Sequence, residues 1–482
     1  MAATTRPDLP NGIVAIVKHD CPTCVLVEPV LAALADDQQF TVYVQDDPAF
    51  PASIPGRIHD EDLAVSWHHD IETVPTLLRV ENGVETARTV GWHRASWAKL
   101  TERSDLGADL PEMRPGCGSL SVDPDRHAEL LVRFGGSVLH SRRIELAALE
   151  DVSEAMFDRG WTDGLPVVPP TEARVLQMLE GTTRAPDDVV AVVPPDLAEC
   201  TVEKVAVNAV MAGCRPEYLP VVLTALEAVC NDTFNMHGVL ATTMPVGPVL
   251  VVNGPIRRRI GMNSGKNVLG QGNRANLTIG RAVQLVVRNV GGGRPGDVDR
   301  STHGNPGKLS FCFAEDEEAS PWEPLCTEFG FAAGTDTVTA FAGEGPKVIT
   351  DQLARDPEEL CRSYAAALAG MHHPKLVLGF EAFLVVGPDH ARLFAEAGWS
   401  KAQTVERIVE LTTRPGRELV RGAGGIAEGL PESFADAEIP KFRPGGLKLV
   451  HAGGGAGLFA MMIGGWVAGS MGSDQVCRQV TS

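Results

Sequence analysis

A pair of cysteines separated by two residues, Cys21-Pro22-Thr23-Cys24, stands between two segments of different periodicity. Gly12–Val17 is an apolar, β-branched run that predicts a buried strand, and residues 25–35 carry apolar side chains at helical spacing. Cys21 is therefore expected at the start of a helix, where free N–H groups and the helix dipole favour a thiolate. The pattern predicts Cys21 as a nucleophile and Cys24, one turn later, as the thiol that resolves a mixed disulfide on Cys21.

The next elements are short and bounded by turns. Strands are predicted over residues 40–44 and 76–80 and after the turn at 81–83, and helices over residues 60–68 and 94–103. This β-α-β-α-β-β-α order, the CxxC pair and Val74-Pro75-Thr76 before the third strand resemble the thioredoxin family over residues 10–105. The resemblance implies a redox-active disulfide and a cis bond before Pro75, with Pro75 forming the substrate side of the site.

Two features of the pair leave other interpretations open. A CxxC pair can also be half of a structural zinc site, although no second pair with that spacing occurs in the chain. Asp20 stands where many thioredoxins have Trp, and Pro-Thr replaces Gly-Pro between the cysteines. A carboxylate beside Cys21 is expected to oppose thiolate formation.

Composition restricts the partners. The chain has 482 residues with 42 basic and 62 acidic side chains, a net charge of −20, which argues against binding to nucleic acid or to an acidic membrane surface. The most apolar late segment, residues 458–469, is too short to span a bilayer, and no secretory signal pattern opens the sequence. Ten cysteines without a regular framework predict reduced thiols, so we expect a cytoplasmic protein.

Residues 104–118 are rich in Pro, Gly and Asp and show no apolar period, which predicts a domain boundary. The expected organisation is a thioredoxin-like redox domain over residues 1–105, a linker over 106–140, and a large α/β catalytic domain over 141–482, undivided or in two subdomains. Cys117 lies between two glycines of this linker. It could be a mobile relay thiol that reaches Cys21 or an ordinary loop cysteine.

The large domain contains two glycine-rich segments with features of a ligand site. Residues 261–276 lead into a predicted helix and could bind an anion or simply cap that helix. Residues 451–457 follow a predicted strand and could let a ligand approach the backbone closely. The candidate substrate-binding residues are Asn263, Lys266, Asn273, Arg274, Asn276, Gly453, Gly454 and Gly455.

A further group could activate a thiol or bind a metal ion. If residues 309–314 form a strand, His303 and Cys312 could approach each other, with Glu315 and Glu317 on one face. The alternative is an acidic turn after a buried cysteine. Cys214 and His237 lie at predicted joints between elements, where catalytic residues often collect.

The sequence thus predicts an α/β protein in which a CxxC domain passes electrons or sulfur to a catalytic domain acting on a small polar or anionic molecule. A thiol reductant or reductase would be a partner, and a homo-oligomer is expected. Segments 159–166 and 273–276 resemble large bacterial proteins without an assigned reaction. Two alternatives stay open: a Cys- or metal-dependent lyase or hydrolase whose thiol the first domain keeps reduced, and a non-enzymatic docking adaptor.

Overall fold

The computed structural model describes residues 6–36, 39–135, 139–147 and 150–481. The chain forms two compact units, Met1–Leu139 and His140–Ser482. Both mix helices with strands, so the predicted α/β class is confirmed.

The first unit begins with the elements that the sequence predicts. Its strands are β1 (Gly12–Val17), β2 (Phe40–Val44), β3 (Ile58–His59), β4 (Thr73–Val74), β5 (Thr76–Glu81), β6 (Val84–Val90), β7 (Trp92–His93), β8 (Met113–Arg114) and β9 (Cys117–Gly118). Its helices are α1 (Pro22–Ala35), α2 (Ala64–His68), α3 (Arg94–Thr101) and α4 (Pro124–Phe134).

A five-stranded sheet in the order β3-β2-β1-β5-β6 forms the centre of this unit. β1 runs parallel to β2 and antiparallel to β5, which places the most apolar strand in the middle. Residues 14–17 of β1 are fully buried, as expected for an apolar β-branched run. The Cys21 loop joins β1 to α1, so it lies at the carboxyl end of the central strand.

The segment predicted as a linker contributes to the first unit. Residues 136–138 lie outside the described residues, but residues 106–135 include β8, β9, a 3-10 turn at Leu120–Val122 and α4. β8 pairs with β7, and β9 pairs with β4. Two-residue strands carry no readable period, so their pairing depends on partners far away in the sequence.

The second unit contains the remaining elements. Its strands are β10 (Val189–Val193), β11 (Ala198–Thr201), β12 (Gly247–Asn253), β13 (Cys312–Ala314), β14 (Thr337–Gly343), β15 (Lys347–Thr350), β16 (Phe380–Val386), β17 (Arg414–Pro415), β18 (Glu438–Ile439), β19 (Phe442–His451), β20 (Phe459–Val467) and β21 (Val476–Gln479). Its helices are α5 (Val152–Asp158), α6 (Glu172–Leu179), α7 (Val202–Ala212), α8 (Leu219–Val229), α9 (Met236–Ala241), α10 (Ile256–Arg259), α11 (Arg274–Asn289), α12 (Pro357–Ala369), α13 (Pro388–Glu396), α14 (Lys401–Thr412) and α15 (Gly416–Leu419).

An eight-stranded sheet organises this unit in the order β13-β12-β14-β20-β16-β19, with β21 paired to β14 and β15 paired to β20. β14 and β20 meet through the pair Gly343 and Gly465. Strands on both sides of that pair contribute to one apolar core, in which the rings of Phe341 and Phe383 stack with centroids 4.3 Å apart.

Helices cover the sheet. Phe383 and Val385 of β16 face the core just described, whereas Ala382, Leu384 and Val386 pack into a second core with α12, α13 and α14. α8 packs against β14, and α11 packs against β13. Within the described ranges, no helix is both long enough and apolar enough to cross a membrane.

Candidate functional site

Cys21 is the residue immediately before α1, and its sulfur acts as the cap of that helix. The backbone N–H of Cys24 donates a hydrogen bond to Cys21 Sγ over 3.3 Å. On the opposite side, Cys21 Sγ lies 3.5 Å from the carbonyl oxygen of Val74. The Val74–Pro75 peptide bond is cis. The sulfur is therefore held between the helix start and the segment before β5.

Cys117 is the third thiol of this site. Its Sγ lies 2.9 Å from the Sγ of Cys21, and β9 places it directly opposite Val74 in an antiparallel pair. The hydroxyl of Thr23 donates a hydrogen bond of 2.7 Å to the carbonyl oxygen of Pro115. Cys117 therefore lies within reach of Cys21, and it does so as a residue of strand β9 and not of a loop.

The three thiols of the site differ in acidity. Hydrogen bonds from Cys24, from Cys117 and from backbone N–H groups outweigh burial and lower the pKa of Cys21 to about 5. Burial raises the pKa of Cys24 far above its ordinary value, and the neighbouring Cys21 adds to this. Burial and the hydrogen bond to Cys21 also raise the pKa of Cys117. At neutral pH the negative charge resides on Cys21, and Cys24 and Cys117 carry protons.

Asp20 does not prevent this arrangement, contrary to the expectation from sequence. The backbone N–H groups of His19 and Asp20 donate to the carboxylate of Asp46 over 2.6 and 2.8 Å, which fixes the loop before the helix. The pKa of Cys21 is lowered although an acidic residue precedes it.

The cysteines of the second unit differ from Cys21, because burial raises the pKa of each of them. The pKa of Cys214 rises to about 12, and its thiol donates to the carbonyl oxygen of Thr278 over 3.3 Å. The pKa of Cys312 is raised further, within a strand in which it pairs with Leu250. Neither predicted thiol has a hydrogen-bond donor or cation that would outweigh its burial.

The predicted metal ligands do not gather around one point. Glu315 and Glu317 meet at Asn253, whose amide nitrogen donates to both carboxylates over 2.6 and 2.9 Å. His303 is exposed, and Cys312 lies within β13. In the part of the chain that the structure describes, no three His, Cys, Asp or Glu side chains are arranged to hold a metal ion.

Asn253 is a residue that sequence reasoning missed. It ends β12, is fully buried, and links two carboxylates that follow β13. Burial raises the pKa of Glu315, which also accepts a hydrogen bond from the N–H of Leu325 over 2.8 Å. The only signal in the sequence is a polar residue closing an apolar run, and its partners lie more than sixty residues later.

The two predicted ligand loops meet in space. The N–H of Gly453 donates to the carbonyl oxygen of Ser264 over 2.9 Å, and a Cβ on Gly454 would lie 2.8 Å from the Cα of Lys266. Glycine is therefore required for this approach. Gly455 is exposed beside this contact.

Most side-chain amide groups of the glycine-rich residues 261–276 form hydrogen bonds within the protein. Asn273 caps α11 by accepting from the N–H of Asn276, and Asn276 in turn bonds to the backbone of Asn263 in both directions. Arg274 donates to the carbonyl oxygens of Gly213 and Cys214. The capping interpretation accounts for these contacts, and Lys266 remains exposed.

His237 lies in the first turn of α9 at the wall of a cavity of about 610 Å³. Cys230, Asn231, Asn235 and Arg478 contribute to the same wall. The histidine is exposed, and the cavity belongs to the second unit.

The structure thus brings together Cys21, Cys24, Cys117 and the Val74–Pro75 bond in the first unit. In the second unit, Glu315 and Glu317 both accept hydrogen bonds from Asn253. The glycine-rich residues 261–276 contact residues 451–457 there, where Lys266 lies against Gly454. Comparisons of the chain with protein-family models, with curated proteins and with solved structures find no match.

Proposed function

We propose that this chain is a thiol–disulfide oxidoreductase in which Cys21 is the nucleophile and Cys24 the resolving thiol. The first unit would be a thioredoxin-like domain. Thiolates, not thiols, attack disulfides, so the ionised cysteine identifies the nucleophile of the CxxC pair.

The observation that carries the proposal is the unequal ionisation of neighbouring thiols. Cys21, at the start of α1, has a pKa of about 5, whereas burial raises the pKa of Cys24 three residues later. Attack by Cys21 on a disulfide would leave a mixed disulfide beside the protonated thiol of Cys24. Cys24 can then form the Cys21–Cys24 bond and release the second product thiol.

The arrangement of the first unit also supports a thioredoxin-like assignment. A helix that begins after a CxxC residue follows the central parallel strand β1, and the cis-Pro75 segment precedes the antiparallel strand β5. The carbonyl of Val74 in that segment faces Cys21.

The wider proposal assigns the second unit to a small polar or anionic substrate. Its support is the contact of the two glycine-rich loops at Lys266 and Gly454. The side chain of Lys266 is exposed there, next to the exposed backbone of Gly455. Because burial raises the pKa of Cys312 and Cys214, we assign the disulfide exchange to Cys21 and place its nearest thiol partner outside the CxxC pair at Cys117.

Redox titration of the full-length chain tests the proposal. The reduced protein would be equilibrated with mixtures of oxidised and reduced dithiothreitol, quenched by alkylation, and mapped by mass spectrometry. We expect the peptide with Cys21 and Cys24 to gain and lose a disulfide reversibly. Cys21→Ser should abolish this exchange, and the control Cys230→Ser should not change it.

The Cys24→Ser variant provides the second readout. Without Cys24, the Cys21–Cys24 disulfide cannot form, and oxidised Cys21 should instead be found in a disulfide with its other neighbouring thiol, Cys117. A protein whose Cys21 and Cys24 both stay open to alkylation under every oxidising mixture would refute the proposal.

A further inference from the structure

Residues 113–119 occupy the main-chain groups beside Cys21. Cys117 lies opposite Val74 and Gly118 opposite Thr73, in antiparallel register. The N–H of Ser119 continues this pairing by donating to the carbonyl oxygen of Glu72 over 2.9 Å. The edge formed by residues 72–74 is therefore already paired with a strand of the same chain.

The same segment is attached on its other side. Met113 pairs with His93 and Arg114 with Trp92, and the N–H of Arg94 donates to the carbonyl oxygen of Glu112 over 2.9 Å. Residues 113–119 therefore pair with β7 at one end and with β4 at the other. Between these pairs, the Sγ of Cys117 lies 2.9 Å from the Sγ of Cys21.

Gly116 allows this close approach. A Cβ at that position would lie 2.6 Å from the carbonyl oxygen of Val74, a backbone atom that cannot move aside cheaply. A methyl group at residue 116 would therefore push the segment away from residues 72–74.

Residues 113–119 shield the side chain of Cys21 from solvent. Cys21 is 1% exposed, and Cys117 is partly exposed. An extended protein segment could reach Cys21 only by displacing β9, because β4 has no free partner edge on that side. Cys117 is the more exposed of these two thiols, so it is the one that a small molecule meets first.

We propose that Cys117 is the entry point of this site and that its substrate is a low-molecular-weight disulfide, because residues 113–119 exclude extended protein substrates. This inference rests on the proposed function, since it assumes that Cys21 and Cys24 exchange disulfides. It adds a third cysteine to the reaction and names the class of oxidant.

The steps balance with the small disulfide RSSR as the oxidant. Cys117 passes its proton to the Cys21 thiolate 2.9 Å away, attacks RSSR as the resulting thiolate, forms Cys117–S–S–R and releases one RS⁻, which takes the proton from Cys21 and leaves as RSH. The Cys21 thiolate, 2.9 Å away, then attacks Cys117 Sγ, forms Cys21–S–S–Cys117 and releases the second RS⁻. Cys24 finally attacks Cys21 Sγ, and its proton passes to Cys117 as the Cys21–Cys24 disulfide forms. Two thiols of the protein are oxidised, and RSSR is reduced to one RSH and one RS⁻, which takes its proton from water.

Oxidation of the reduced full-length protein by two probes tests the inference. With glutathione disulfide, Cys117→Ser should slow formation of the Cys21–Cys24 disulfide by at least about tenfold, although the serine hydroxyl can still donate to Cys21. In the Cys24→Ser variant, a Cys21–Cys117 disulfide should accumulate, with two glutathione molecules released per chain. Cys230→Ser is the matched control for loss of one partly exposed cysteine.

The second probe is insulin, whose disulfides lie in a polypeptide. The parent, in its dithiol form, should reduce insulin slowly, and Gly116→Ala should accelerate this reaction while all three cysteines remain. Circular dichroism would verify that each variant is folded. Gly116→Ala provides a test of the covering strand even if Cys117→Ser folds poorly.

The results separate this inference from the proposed function. If Cys21→Ser is inactive but Cys117→Ser forms the Cys21–Cys24 disulfide at the parental rate, the entry role of Cys117 is refuted and the proposed function stands. Equal insulin reduction by the parent and by Gly116→Ala would refute the exclusion of protein substrates. A Cys21→Ser variant that exchanges at the parental rate would remove the proposed function itself.

Discussion

The side-chain amide of Gln45 donates a hydrogen bond of 2.6 Å to the hydroxyl of Ser119. The same nitrogen donates to Ser66 over 2.8 Å, and the amide oxygen accepts from the N–H of Leu120 over 3.0 Å. Gln45 directly follows β2 and is buried. The side chain of Gln45 thus links the end of residues 113–119 to the central sheet.

Replacement of this amide should loosen the segment. Gln45→Leu leaves the N–H of Leu120 without its acceptor, and an unsatisfied group costs about 1–3 kcal/mol. The hydroxyls of Ser66 and Ser119 lose one donor each but keep their hydrogen bonds to Asp60 and Ser121. We expect faster amide hydrogen exchange over residues 113–122 and a lower free energy of unfolding for the first unit. Ser53→Ala, which removes an exposed hydrogen bond to Glu28, is the control. Unchanged exchange in Gln45→Leu would show that the segment is held by its strand pairs alone.

The ionisation of Cys21 should appear in the pH dependence of the first unit. The pKa of Cys21 is about 5 when folded, against about 8.5 for a free thiol, so ionisation stabilises the folded state above the unfolded value. This contribution is lost as pH falls, at up to about 1.4 kcal/mol per pH unit between the two values. Chemical denaturation at several pH values should show the slope in the parent.

The Cys21→Ser variant isolates that contribution. Its unfolding free energy should lack the part of the slope that ends near pH 5, and its thiolate absorbance should lack the transition at the same pH. A parent whose Cys21 titrates in the range of a free thiol would contradict the hydrogen-bond pattern at the helix start.

Lys441 is a buried cation whose ammonium group serves three backbone carbonyls. Its Nζ donates to the carbonyl oxygens of Met371 and His373 over 2.9 Å and to that of Leu376 over 2.8 Å. Lys441→Met should destabilise the second unit by about 2–5 kcal/mol, because the three acceptors lose their donor together. Lys347→Met, which removes a half-exposed lysine paired with Glu344, should cost no more than about 1 kcal/mol.

The lowered pKa of Lys441 predicts how the stability of the second unit changes with pH. Burial lowers the pKa of Lys441 to about 8, below its value of about 10.4 in an unfolded chain. Between these values the unfolded state binds more protons, so the contribution of this group to stability should increase with pH. Thermal unfolding of the parent and of Lys441→Met at pH 8 and pH 10 measures the difference. A smaller gap between them at pH 10 would contradict the predicted sign.

Elements with a clear period were predictable from sequence, and pairings between distant segments were not. The helix expected after the glycine-rich residues 261–276 is α11, with Asn273 as its cap, and the first two strands have their predicted bounds. The apolar run at residues 458–469 contains strand β20, which pairs with β15 and β16 and is buried at its centre. Such a run shows that a segment is buried, but not which strands cover it.

Two segments show why local pattern is insufficient to assign structure. The composition of residues 239–252 favours strand, yet the first three belong to α9, which begins after the capping residue Asn235. A short apolar run fits either structure until its cap is recognised. Cys117 could be singled out by its glycine neighbours, but its pairing with Val74 joins residues 43 apart, and no local spacing predicts it.

The unequal acidity of Cys21 and Cys24 also determines how the oxidising power of the site depends on pH. Above pH 5 the reduced pair holds a single proton, which leaves together with two electrons when the disulfide forms. The midpoint potential should then fall by about 30 mV per pH unit, half the value for a pair of two protonated thiols. A change in acidity of the surroundings would shift this couple only half as far as an ordinary dithiol.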